Sequence, residues 1–144
     1  MGSKSSVDQL NSFLRGEMSA VETYQMALDK LDKISTARDE LLVNLKSHQD
    51  RVLALQDAII ALGGTPAESS GPWGAFAKAV EGSAKVLGEK VAIAALEEGE
   101  DHGLKDYRGE RDELAPECQS IIGRLLPMQQ QTHDRLSALK RRMA

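Results

Sequence analysis

The sequence predicts an all-α protein, a single domain over residues 1–144 built as a bundle of four long helices. Three observations carry that expectation. Apolar residues recur at 4-3 spacing over four separate stretches, the pattern of helices that bury one face. Aromatic residues make up 3% of the chain and charged residues 28%, which suits helices packed through aliphatic side chains. The one stretch dense in Gly, Pro and Ser, "GGTPAESSGPWG", falls in the middle, with two periodic segments on each side.

The first helix is expected over residues 7–33. Ser6 with Gln9 reads as a capping box, and Val7, Leu10, Leu14, Glu17, Val21, Tyr24, Leu28 and Leu31 keep the rhythm. Ser35 and Thr36 are N-cap candidates for a second helix over 36–62, with a seam of Leu41, Leu45, His48, Val52, Leu55, Ile59 and Leu62. Gly63-Gly64, with Pro66 beyond, ends it. A link of only a few residues makes these two an antiparallel hairpin.

Residues 63–82 form a long crossover, with Trp73 and Phe76 placed to pin it to the bundle. The third helix is expected over 83–114, with Gly82 and Gly88 as break points and a seam of Val86, Ile93, Glu97, Glu100, Leu104 and Tyr107. Pro116 suits the opening of a fourth helix over 117–142, which runs through Ile122, Leu126, Gln129, His133 and Leu136, with a kink at Pro127. Hairpin, long crossover, hairpin lets helices two and three run parallel, the ferritin-like arrangement.

A weak internal repeat supports two related hairpins. A shift of 83 residues lays Gly16-Glu17 on Gly99-Glu100, Tyr24 on Tyr107, Asp29 on Asp112 and Leu31 on Leu114. "SHQDRVLAL" and "THDRLSAL" on the second and fourth helices also resemble each other, with a one-residue slip.

Other classes are excluded or unsupported. Net charge is −4, and the only basic run is the C-terminal "KRR", so no nucleic-acid footprint is expected. Those residues read as a favourable cationic helix end. A single cysteine, Cys118, fits a reducing compartment and forms no disulfide framework. It reads as a buried thiol near a helix start, whose positive end can lower its pKa. There is no apolar leader and no apolar run long enough to span a membrane, so the expectation is a cytoplasmic protein with no membrane partner. No Gly-rich phosphate loop, CxxC, GxSxG or HExxH occurs.

The chemistry lies in the seams. Glu17, His48, Glu100 and His133 stand near the middle of their helices, where an antiparallel bundle brings mid-points to similar heights. Glu97, one turn before Glu100, is a fifth candidate. Carboxylate with imidazole is a ligand set for iron, manganese or zinc. The same residues also make two buried Glu–His ion pairs, Glu17 with His48 and Glu100 with His133, which need no metal. Tyr24 and Tyr107 close the core with hydroxyls available to a seam carboxylate, and His102 reads as a solvated surface residue.

"LNSFLRGEMSAVETYQMAL" resembles the first helix of bacterioferritins and rubrerythrins, where a Glu in such a context binds or bridges an iron. The layout more closely resembles a bacterial family of ferritin-like four-helix proteins of unknown function. It carries an early "GE" helix, "LGGTP", a variable crossover, "EEGEDHGLKDYRGE" and a final "HDRLSALKRR", over about residues 7 to 142. By that resemblance Glu17 matches the first-helix Glu and Glu97 or Glu100 the third-helix Glu. His48 and His133 match the histidines of the two Glu-x-x-His motifs of a di-iron centre. The Glu of each motif is missing, since Leu45 and Gln130 stand there, so the site is incomplete against four carboxylates and two histidines.

Two readings follow. One is a ferritin-like protein that binds iron or another transition metal at Glu17, His48, Glu97, Glu100 and His133, with a role in iron handling or oxidative stress. The other is a non-catalytic helical bundle with a degenerate metal site, which forms a homodimer or binds a partner. The first is the primary expectation and the second the alternative, although replacement of both motif carboxylates is easier to explain if selection for two metals has lapsed.

Overall fold

The computed structural model describes residues 2–31, 35–71, 78, 88–109 and 114–143, with the side chains of residues 2–5 left out. The described residues form four helices: α1 (Gly2–Lys30), α2 (Arg38–Ala61), α3 (Glu89–Gly109) and α4 (Pro116–Met143). No described residue lies in a strand.

Side-chain bonds between helices fix their directions. Glu17 meets His48 while Arg38 reaches the Leu28 carbonyl, so α1 and α2 are antiparallel. Asp101 meets His133 while Glu97 meets Lys140, which makes α3 and α4 antiparallel. Glu40 with Arg142, and Arg51 with Thr132, set α2 antiparallel to α4. Tyr24 with Glu100, and Tyr107 with Glu17, set α1 antiparallel to α3. The diagonal pair α2 and α3 therefore runs parallel, as the long crossover requires.

The helix ends show what local chemistry decides. Pro116 opens α4, where its missing N–H costs nothing. Gly63 takes φ of +80° just past the end of α2, and the Gly63 and Gly64 amides bond back to the Ile60 and Ile59 carbonyls at 2.9 and 3.0 Å. Gly63→Ala should cost about 1–2 kcal/mol, because a Cβ is strained in that left-handed region. Urea denaturation reads the loss, and an unchanged midpoint would mean the α2 end rearranges freely.

Two expectations about caps are corrected. Helix α1 starts at Gly2, ahead of Ser6, so Ser6 lies inside the helix and its hydroxyl instead donates to Glu117 Oε1 at 2.5 Å across the bundle. The N-cap of α2 is Ala37 with no side-chain cap bond; Ser35 Oγ, two residues earlier, accepts from the Ala37 amide at 3.1 Å.

Crossover residues 62–71 run along α1: Asn11 donates to the Thr65 carbonyl at 3.0 Å and accepts from the Ala67 amide at 2.7 Å. Trp73, Phe76, Gly82, residues 79–87 and residues 110–113 lie outside the described residues, and with them most of the expected start and the last residues of the third helix. Gly88, with φ of +92°, immediately precedes α3.

Two apolar clusters fill the bundle. One holds Leu10, Phe13, Leu14, Leu55, Ile59, Cys118, Ile122 and Leu125; the other holds Tyr24, Leu28, Leu41, Ile93, Leu96, Leu136 and Leu139. Between them the core is polar, with Glu17, Asn44, His48, Arg51, Glu100, Gln129 and Thr132 all buried.

Candidate functional site

That polar layer forms because each helix substitutes polar residues at the inward positions near its middle. On α2 the inward positions are Asn44, His48 and Arg51, and on α4 they are Gln129 and Thr132. Helices α1 and α3 contribute one carboxylate each, Glu17 and Glu100.

His48 bridges the two carboxylates. Its Nδ1 lies 2.5 Å from Glu17 Oε1 and its Nε2 lies 2.7 Å from Glu100 Oε2. A neutral ring would turn a lone pair toward one carboxylate oxygen, so both nitrogens donate and the ring is an imidazolium. Burial works to lower the His48 pKa, but Glu100 and Glu17 outweigh it and raise it.

Arg51 is fully buried and uses its whole donor set. Its Nη1 reaches Glu17 Oε2 at 3.3 Å and the Gln129 side-chain carbonyl; its Nη2 reaches Thr132 Oγ1 at 3.0 Å and Ser47 Oγ at 3.1 Å; its Nε reaches the Ser47 carbonyl at 3.4 Å. Burial pushes the Glu17 carboxyl up, yet Arg51 and His48, with hydrogen bonds from His48 and Tyr107, hold it at about 2. Glu100 is also lowered: burial opposes, while His48, Tyr24 and Thr132 prevail. Two carboxylates thus face an imidazolium and a guanidinium, and the layer is neutral.

The tyrosines join the two hairpins crosswise. Tyr24 of α1 donates to Glu100 Oε2 of α3 at 2.5 Å, and Tyr107 of α3 donates to Glu17 of α1. Burial, and then the adjacent carboxylate, push both phenols well above 10. The Gly-Glu and Tyr repeat of the sequence is therefore a cross-paired unit. Asn44 completes the layer by donating to Tyr24 Oη and to the Thr132 carbonyl, both at 3.0 Å. Gly103 lets Gln129 approach, since a Cβ there would stand 2.8 Å from Gln129 Nε2.

Glu17, His48 and Glu100 are thus brought together; two other sequence candidates are not. His133 lies toward the surface, bonded to Asp101 and to Asp134. Its inward place is taken by Thr132. "THDR" has one residue fewer than "SHQDR" before the shared Asp-Arg, and one residue turns a side chain about 100° round a helix. The expected Glu100–His133 pair does not form. Glu97 faces outward as well and pairs with Lys140 at 3.0 Å, with Leu96 in the seam instead. Gln130 bonds Arg108 and Asp134 outside the core. Of the two adjacent leucines of α4, Leu125 rather than Leu126 is buried. The Cys118 thiol is pushed up by burial, not lowered by the helix start, and donates to the Ser6 carbonyl at 3.4 Å.

Sequence reasoning missed Arg51, Gln129 as a bonding partner, Thr132 and Asn44. The signal was present for Arg51: it stands three residues after His48, on the same helix face. The expected seam passed instead through its neighbour Val52, which is only partly buried.

A cavity of about 480 Å³ lies between α1 and α3 and reaches the layer at Glu17, Tyr24, His48, Glu100, Tyr107 and Gln129. The oxygens a metal centre would use are already engaged in hydrogen bonds. Glu100 accepts from His48, Tyr24, Gln129 and Thr132, and Glu17 from His48, Arg51 and Tyr107. A carboxylate has about four lone-pair sites, so almost none remain. No buried side-chain polar atom among the described residues lacks a partner. Nor do the described residues hold a group of three or more His, Cys, Asp and Glu side chains arranged for a metal ion. As bonded here, the layer does not fit a two-metal centre.

No protein-family model matches the chain, and no curated protein matches its sequence. Among solved structures it is similar to a dodecameric thioferritin, the bacterioferritin-related protein from Bacteroides fragilis. The two are 18% identical with a TM-score of 0.73, over 96% of this chain and 85% of that one. With its helix order, its parallel α2 and α3 and this likeness, the chain is a ferritin-like four-helix bundle.

Proposed function

We propose that this protein is a non-catalytic ferritin-like bundle that works through its surface, with an internal ion-pair layer in its core. The observation that supports this reading is Arg51. A permanent cation 3.3 Å from Glu17, beside a doubly bonded imidazolium, neutralises both carboxylates without a metal. A divalent cation entering the layer would meet two positive groups and would have to displace hydrogen bonds from each oxygen it used.

The second reading is a single transition metal, iron for preference, held by Glu17, His48 and Glu100 in an iron-handling bundle. The cavity that reaches all three residues favours it, together with the likeness to a thioferritin. Glu97 and His133 have no place in that set. His48 would first give up a proton and one carboxylate bond.

Metal analysis of the chain, purified without a chelating column after growth with added iron and manganese, separates the two. The expected result is no stoichiometric metal and a melting temperature indifferent to one equivalent of Fe(II), Mn(II) or Zn(II). One or two equivalents lost in Glu17→Ala, or a rise of many degrees on adding metal, would overturn the proposal in favour of the second reading.

A further inference from the structure

The cavity between α1 and α3, about 480 Å³, lies within the range of roughly 300–1,000 Å³ found for small-molecule sites. It exists because both facing helices carry small residues there. Gly16 and Ala20 on α1, and Gly99 and Gly103 on α3, stand four residues apart and so share one face of each helix. A Cβ added at Gly16 would meet nothing within 4 Å, so the space beside it is open rather than a close approach of two helices.

The two ends of the cavity differ in chemistry. At the inner end the charges are already balanced: Glu17 and Glu100 face His48 and Arg51, and the two tyrosine hydroxyls are bonded to those carboxylates. Phe13, Leu96 and the tyrosine rings therefore offer the space mainly apolar surface, with Phe13 and Tyr107 centred 5.0 Å apart. The mouth is acidic. Glu98, His102 and Asp106 stand four residues apart on α3, a stripe of about 12 Å along the cavity edge. Glu98 has no ion-pair partner among the described residues, and Asp106 has only His102 at 3.6 Å, beyond hydrogen-bond reach. Burial pushes the Asp106 carboxyl above its ordinary value, and His102 opposes this only in part. No Lys or Arg stands among the described residues that line the cavity.

We propose that this cavity binds a small organic cation, a protonated amine on an aryl or alkyl body. The ammonium lies at Asp106, within the acidic stripe, and the body fills the space beside Gly16. Tyr107 bonds Glu17, so Asp106 and Gly16 stand close to the same level of the bundle and one small molecule reaches both. A neutral ligand would leave the half-buried Asp106 charge without a counter-ion, and an anion would add a like charge to the mouth. The inference goes beyond the surface role proposed above, since it requires neither a metal in the layer nor a partner protein.

Isothermal titration calorimetry of the full chain with phenethylamine tests it, at neutral pH with EDTA present so that metal takes no part. Phenethyl alcohol and phenylpropionate carry a similar body with a neutral and an anionic end. The amine is expected to bind one per chain, about tenfold or more tighter than the alcohol, with the acid weaker still. Asp106→Asn should remove most of the preference for the amine while leaving the alcohol unchanged, whereas a folding defect would weaken both alike. Gly16→Leu fills the space and should abolish binding of either, with a melting temperature that holds or rises because leucine is the better helix former. No binding of the amine up to millimolar concentration, or equal affinity for all three probes, would overturn the proposal. So would an amine preference untouched by Asp106→Asn, or binding that survives Gly16→Leu.

Discussion

Arg51→Met should destabilise the bundle by about 3–5 kcal/mol, the loss expected when one member of a buried ion pair is removed. The methionine would fill much of the same volume, so the loss is electrostatic. Glu17 keeps its charge 4% exposed, without the guanidinium that holds it low. Gln129 loses the donor to its carbonyl, and the Thr132 and Ser47 hydroxyls lose one each. A domain of ordinary stability has only about 5–15 kcal/mol in hand, so this one change removes a large fraction.

The double variant Glu17→Gln/Arg51→Met should recover a substantial part of that loss. It leaves His48 and Glu100 balanced, and it replaces a charged pair with neutral groups of similar shape. Guanidinium denaturation of the wild type, both single variants and the double gives the coupling. A single Arg51→Met loss below about 1 kcal/mol would mean that water solvates the layer, as it does an exposed pair.

The second large effect is a stability maximum in mildly acidic solution, with His48 chiefly responsible for its alkaline side. In the folded chain His48 titrates above its ordinary 6.5, because two carboxylates overcome the effect of burial. Its contribution is therefore complete below 6.5 and is lost as pH rises through the raised folded value. Glu17 falls from 4.5 to about 2 on folding, so its contribution is present above 4.5 and is lost as pH drops toward 2. Glu100 moves in the same direction.

Stability should accordingly be greatest between about 4.5 and 6.5 and decline on both sides. His48→Gln should be less stable by about 3–5 kcal/mol near pH 6, since two buried carboxylates lose their shared cation. It should also lose most of the alkaline decline, because an amide does not titrate; the remainder comes from His133 near the surface, where burial works to lower the pKa but Asp134 and Asp101 raise it. Denaturation midpoints from pH 4 to 9 check both parts. A wild-type profile flat above 6.5 would mean that His48 is not an imidazolium in the folded chain.

The sequence by itself determined the helices, their order and the chain direction of each. Apolar spacing, Pro116 at a helix start and Gly63-Gly64 at a helix end are local signals, and each acts through the backbone of a few neighbouring residues. The long middle segment then left two hairpins with parallel inner helices. Glu17, His48 and Glu100 were also legible, since a charged residue in the middle of an apolar seam stands out whichever partner it finds.

Only the tertiary structure decided the rotation of each helix about its axis, and with it which neighbour of a seam residue points inward. One step along a helix is about 100°, so a seam assigned one residue off still looks amphipathic. That error put His133 inside and Thr132 outside, Glu97 in place of Leu96, and Val52 in place of Arg51. It also decided the nature of the layer. A long Arg side chain at a half-apolar position reads as surface in a sequence, because nothing local shows that a carboxylate, an amide and a hydroxyl from two other helices will meet it. Burial made those partners obligatory, and two further helices were needed to supply them.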